Sequence, residues 1–288
     1  MKFLATCILL LSLGLPAQAN YWKHDAQQGK VSACHCFAVI ALVEAAYWQN
    51  TGQYLNLSER DLFYRHYAHG SSQPAELIQK QLISAGRTKL PQHHNEAGHL
   101  SANFSLMQKY GVASEKELPY NPLFSTGVAM TVEKLRRLRD QFTADAKLGH
   151  WGAQTTTHMA AEYAANQKSL TRALTLPPHT KTRQWTQKWL SQFTLKKVKP
   201  ATSATVKSNI ISQLSRGPVA VDVSNFDELI SKRGYATRYY QHSLVVSHYD
   251  PQADLFTIRS STHKGSKQVS AKALSRGTYQ LYYLQKNG

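Results

Sequence analysis

The stretch QQGKVSACHCFAVIALVEAAYWQNTG, residues 27 to 52, decides the fold. From Cys34 onward it is apolar nearly all round, contains no proline and closes on Thr51-Gly52. A segment of that kind reads as a central helix buried on every side, with glycine as its stop. Two thiols, Cys34 and Cys36, stand in its first turn, and the chain has only one other cysteine, Cys7. Residues two apart on a helix are turned by about 200°. A disulfide between them is strained, so both are expected as free thiols. Cys34 stands at the helix N-terminus, where the positive end of the dipole favours a thiolate. Cys36 turns toward the core and reads as a small buried hydrophobe.

Upstream, MKFLATCILLLSLGLPAQAN has one lysine, an apolar run to about Leu15, then Pro16 and the small-residue pattern Ala17-Gln18-Ala19. This is the pattern of a secretory signal peptide, residues 1–19, with cleavage after Ala19. The expectation is a secreted or periplasmic chain, residues 20–288, with no membrane span and with Cys7 removed. Two free thiols are unusual after export and suggest that one is kept for chemistry.

Downstream, NLSERDLFYRHYAH offers Ser58 as an N-cap and acidic residues in the turn that follows, so a second helix is expected there. SANFSLMQKYGV reads as a third helix, ended by Gly111. The character then changes: GPVAVDV, HSLVVSHY, DLFTIRSS and TYQLYYLQ are short runs rich in Val, Tyr and Thr. Helices first and strands later imply an α+β protein with a helical lobe and an antiparallel strand-rich lobe.

The formal net charge is +17, and residues 121–200 carry 13 Lys or Arg against 4 Asp or Glu. That segment reads as a basic, mostly helical insertion. Its runs, EKLRRLRD and LKKVK, lack the interleaved aromatics and glycines of nucleic-acid modules. An acidic surface or acidic protein is therefore the expected partner class, and nucleic acid is not. Cys34-His35-Cys36 does not read as a metal site, because successive helical residues face apart and no second cysteine pair completes a tetrahedron. No metal or cofactor is expected.

Residues 28–64, 95–120 and 205–284 together resemble the papain-like cysteine peptidases. QGKVSACHCF is similar to that family's active-site segment, NEAGHLSANFSLMQKYGVASEKELPY to its Gly-Gly segment and the helix and turn after it, and GPVAVDVSNF with QHSLVVSHY to the strands around its catalytic histidine. The resemblance implies a two-lobe fold, with Cys34 as nucleophile and His242 as acid and base. It also implies Gln28, six residues before Cys34, as the oxyanion-hole amide, Ser260 as the third residue that orients the imidazole, and Ala97-Gly98 as a substrate-binding strip. The implied activity is cleavage of peptide bonds in a peptide or protein substrate, through an acyl-enzyme on Cys34.

The chain departs from the family pattern at several positions. His35 replaces the aromatic after the nucleophile, Ser260 the usual asparagine, Thr262 the shielding tryptophan and Val31 a disulfide cysteine. Only eight residues separate Asn20 from Gln28, so the family's inhibitory leader is not expected. Two other functions fit the same residues: a weak or inactive papain-like scaffold that binds acidic partners, and a Cys-His acyl or amide transferase.

Overall fold

The computed structural model describes residues 21–24, 27–29, 33–66, 98–120, 181–230 and 241–288. Helix α1, Cys34–Thr51, is the chain's axis, and every residue from His35 to Ala46 is buried. It ends where expected: Gly52 takes a left-handed conformation and donates its N–H to the Trp48 carbonyl at 2.7 Å. Helix α2, Glu59–Arg65, starts at Ser58, whose hydroxyl accepts the Asp61 N–H at 3.1 Å. Helix α3, Leu100–Tyr110, ends at Gly111.

Helix α4, Lys181–Leu190, is followed by strand β1, Phe193–Val198. Next come α5, Ser203–Leu214; β2, Val219–Val223; α6, Phe226–Ile230; and β3, His242–Asp250. Strands β4, Leu255–Arg259, and β5, Ser266–Ser270, precede α7, Ala271–Gly277, and the last strand β6, Thr278–Lys286. Among the described residues the strands form one antiparallel sheet in the order β1-β6-β2-β3-β4-β5. The protein is thus α+β: among the described residues four helices precede the first strand and three more lie between strands.

Strand alternation sorts the core into two layers. Ala220, Val245 and Tyr282 face α1 to α4 in a cluster that includes Val39, Leu62, Phe63 and Met107. Val221, Val223, Leu244 and Val246 face the other way, onto Val206, Ile210, Phe226 and Leu274 of α5 to α7. Because both faces are covered, β2 is buried at all five positions, which is why GPVAVDV reads as a near-continuous apolar run.

Of the stretch 121–200, read as a basic and mostly helical insertion, the described part holds helix α4 and then LKKV in β1, paired with β6 from Phe193↔Lys286 to Val198↔Leu281. Its lysines alternate on an edge strand; they do not line a helix face. Residues 121–180 of that insertion, the signal segment 1–19 and Ala97 lie outside the described residues. Strand β5, SKQVS, was also missed, because its one fully buried residue, Val269, leaves no apolar alternation to read. Among the described residues no helix is long and apolar enough to cross a membrane.

Helix α4 is tied to the rest by a buried ion pair. Arg183 Nε and Nη2 donate to Asp61 Oδ2 and Oδ1 at 2.8 and 3.0 Å, and Asp61 Oδ2 also accepts the Ala113 N–H at 2.7 Å. Asp61 is fully buried and Arg183 is nearly so. Removing one partner strands the other charge away from water, so Asp61→Ala is expected to cost about 3–5 kcal/mol. Urea unfolding followed by circular dichroism measures the loss.

Candidate active site around Cys34

Helix α1 begins without a side-chain cap and with no acidic residue in its first turn. Its positive end is therefore not neutralised from within. Cys34 stands there half-buried, while Cys36 is fully buried, and both thiols are free. The packing of α1 on β3 sets Cys34 beside Ser243, the residue after His242. The Ser243 and His35 N–H groups favour a thiolate, and the Ser243 hydroxyl would do so only by turning its one proton away from Asp222 Oδ1. Burial and the Asp222 charge oppose it, and the net effect raises the thiol above its ordinary value. The dipole argument pointed the other way; desolvation outweighs it here, because the thiol is roofed by the sheet.

Asp222 is the acid behind this contact. The Ser243 hydroxyl donates to its Oδ1 at 2.6 Å and the Tyr282 hydroxyl to its Oδ2 at 3.0 Å. Burial pushes the Asp222 carboxyl up, against those two bonds. Tyr279, which feels burial and then the charges of Asp222 and Cys34, is pushed up to about 12.

His242 opens β3 and is buried. Its Nε2 lies 2.8 Å from Ser260 Oγ, the pairing that the resemblance implied. Its ring packs on Phe226, with centroids 4.0 Å apart. Burial, then the nearby His263, lower its pKa to about 3, so the imidazole is neutral at neutral pH. Ser260 Oγ is shared with Thr262 Oγ1 at 2.9 Å, and Thr262 Oγ1 meets His263 Nδ1 at 2.7 Å. The hydrogen bonds that act on the Cys34 thiol come from Ser243 and His35, and the His242 ring meets Ser260. At rest both are neutral.

Gln28 is held from three sides. Its N–H donates to the Ser261 carbonyl at 2.9 Å, its carbonyl accepts from the Tyr120 hydroxyl at 2.6 Å, and its Oε1 accepts from the Ser261 hydroxyl at 2.6 Å. With the oxygen of the amide engaged, Nε2 is the donating end. Tyr120 in turn sits edge-on against Phe37 of α1, with ring centroids 5.1 Å apart. Gln28 is therefore fixed to α1 and to the Ser260-Ser261 segment together.

Gly98 lies against the other side of the α1 start. A Cβ there would come within 2.5 Å of the His66 ring and 2.8 Å of the His35 ring, so no side chain fits without moving an imidazole. Those rings are 4.5 Å apart, and the Asn103 amide bonds His35 Nδ1. His35 is thus a buried, hydrogen-bonded ring.

Beneath the site a cavity of about 20 Å³, room for about one water, separates α1 from β3 and β4. Glu44, Glu59 and Arg259 line it. Glu44 Oε1 accepts the Leu57 N–H at 2.9 Å. Burial raises Glu44 to about 8, and burial with the neighbouring Glu44 charge raises Glu59 well above its ordinary value. Among the described residues no group of His, Cys, Asp or Glu is placed to hold a metal.

Sequence reading missed Asp222, Ser243, Ser261 and Phe226. A carboxylate inside the apolar run VAVDV was the one available signal. The others are ordinary residues that acquire a role only through pairing between distant strands. No family model matches the chain, and no curated protein matches it.

Two measurements test these environments. Iodoacetamide is expected to label Cys34 and spare Cys36 in the folded protein. Asp222→Asn removes a charge that opposes the thiolate, so it should accelerate Cys34 labelling at neutral pH. Glu44 has a folded-state pKa of about 8, above its ordinary 4.5. Its contribution to stability is therefore complete below pH 4.5 and is lost as pH rises through about 8. Urea midpoints measured across that range should fall with pH in the parent and fall less steeply in Glu44→Gln, where the raised Glu59 remains.

Proposed function

We propose that the chain is an exported papain-like thiol peptidase with a two-lobe architecture, using Cys34 as nucleophile and His242 as acid and base. One observation carries the reading. A largely buried thiol at an uncapped helix start stands beside the strand that His242 opens, with His242 bonded to Ser260 and Gln28 locked to the adjacent Ser261.

Both groups rest neutral, so the reaction begins when the Cys34 S–H proton passes to His242, with Ser260 holding Nε2 and Nδ1 taking the proton. Sγ attacks the carbonyl carbon of a peptide bond, and the oxyanion accepts hydrogen bonds from the Cys34 N–H and Gln28 Nε2. The C–N bond breaks as the imidazolium gives its proton to the departing amine. Water then attacks the thioester, its proton goes to His242, and the acid product leaves as the thiol is restored. Ala97 and Gly98 belong to the substrate side of this reading, and Gly98 gives the backbone a flat approach beside His35.

A second reading has its own support. The raised thiol, the lowered imidazole and the short Ser260 hydroxyl favour a weak or inactive papain-like scaffold that binds an acidic partner through its basic surface. An acyl or amide transferase would use the same Cys-His steps with an amine in place of water.

Hydrolysis of a mixed fluorogenic peptide library by the mature protein separates these. The peptidase reading expects Cys34→Ala and His242→Ala to abolish turnover and Gln28→Ala to lower kcat by about 10²–10³. Ser260→Ala, which removes the hydroxyl that holds Nε2, should lower kcat. Product formation only with an added amine would identify a transferase; no turnover under either condition would leave the scaffold.

A further inference from the structure

Helix α4 is amphipathic in an unusual way. Its inner face is fixed: Arg183 pairs with Asp61, Thr186 Oγ1 accepts the Val112 N–H at 2.9 Å, and Leu190 is buried. On the outer face Lys181, Trp185 and Lys188 are exposed, at the i, i+4, i+7 spacing of one helical stripe, with Trp189 half-buried beside them. Trp185 leaves 39% of its surface in water. One exposed apolar ring is ordinary, but a braced cluster of rings set among cations marks a surface that meets something.

The cluster is braced from three elements. The Trp185 and Trp189 rings are nearly parallel, at 15° with centroids 6.2 Å apart, and Tyr47 of α1 meets them edge-on at 5.2 and 5.6 Å. Trp189 leads on to Phe193 of β1 at 4.5 Å. Phe193 pairs with Lys286 of β6, and residues directly opposite on paired strands project to the same face, so a third exposed lysine stands beside the aromatic row. Lys181, Lys188 and Lys286 make no ion pair among the described residues. The sequence around them supplies no counter-charge either: residues 181–221 hold eight Lys or Arg and no Asp or Glu, and residues 255–288 hold no Asp or Glu.

We propose that this face docks on the surface of an anionic lipid bilayer, with the Trp185 and Trp189 indoles at headgroup level and Lys181, Lys188 and Lys286 against lipid phosphates. An indole has an apolar body and one polar N–H, which suits the boundary between headgroups and acyl chains, and lysines beside it meet the surface charge. A soluble polyanion would use the lysines and leave the indoles without a role. Thirteen residues of α1 separate Tyr47 from Cys34, roughly 20 Å at 1.5 Å each. The docking face is independent of the chemistry at Cys34.

The test uses the full mature protein, sedimented with sucrose-loaded vesicles of phosphatidylcholine, alone or mixed with phosphatidylglycerol. Binding to the mixed vesicles and none to phosphatidylcholine alone is expected. Lys181→Gln and Lys188→Gln should each weaken binding about fivefold, one cation's share at an anionic surface. Trp185→Ala should weaken it at least about fivefold through lost apolar contact. Brominated acyl chains should quench part of the tryptophan fluorescence in the parent and less of it in Trp185→Ala. All three positions are exposed, so the variants keep the fold, which circular dichroism checks. Cys34→Ala should bind as the parent does, which separates this face from the peptidase reading. The proposal is overturned if the mixed vesicles carry down no protein, if neutral vesicles bind equally well, or if the three substitutions leave binding unchanged. It is also overturned if dextran sulfate or polyglutamate binds as tightly as the mixed vesicles and Trp185→Ala has no effect, since the partner is then a soluble polyanion or an acidic protein.

Discussion

Everything in this molecule hangs on the burial of one helix. Twelve consecutive residues of α1, His35 to Ala46, are shielded from solvent, and no other described helix is enclosed on every side. At ~25 cal/mol per Å² of apolar surface removed from water, enclosing such a segment is strongly stabilising. It needs cover on all sides, which α2, α3 and α4 provide on one flank and β2, β3 and β6 on the other. The thiol at its N-terminus is carried along. Cys34 meets β3 because the hydrophobic contact between α1 and the sheet leaves its first turn at the sheet's end.

Enclosure brings a cost, and the polar groups along α1 show how it is met. Glu44 enters the core with a hydrogen bond to Leu57 and a shared cavity with Glu59 and Arg259. His35 enters it with Asn103. The same low-polarity surroundings raise Cys34 and lower His242, so the pair rests uncharged. On the proposed peptidase reading, an ion pair between them would need extra stabilisation from the bound substrate, and proton transfer on binding, instead of a standing thiolate, would follow from that burial.

Ser260 shows the same dependence on neighbours, closing a chain from His242 through Thr262 to His263 at 2.8, 2.9 and 2.7 Å. Orientation is thus distributed over several hydroxyls. Gln28 is anchored to the next residue, Ser261, so the segment 260–262 positions both the imidazole and the amide.

The sequence by itself determined the elements whose signals are local: α1 from its unbroken apolar run, the stops at Gly52 and Gly111, the cap at Ser58, and β2, β3, β4 and β6 from their Val and Tyr content. It also marked Cys34, His242, Gln28 and Ser260, through spacing and resemblance. Tertiary structure alone decided that LKKV is an edge strand, because that depends on a pairing with β6 ninety residues later, and that SKQVS is a strand at all. It alone placed Asp222 and Ser243 beside the thiol and reversed the expected direction of its shift. A helix dipole is legible in order and spacing; desolvation belongs to what packs on the group, and that is known only once distant strands have met.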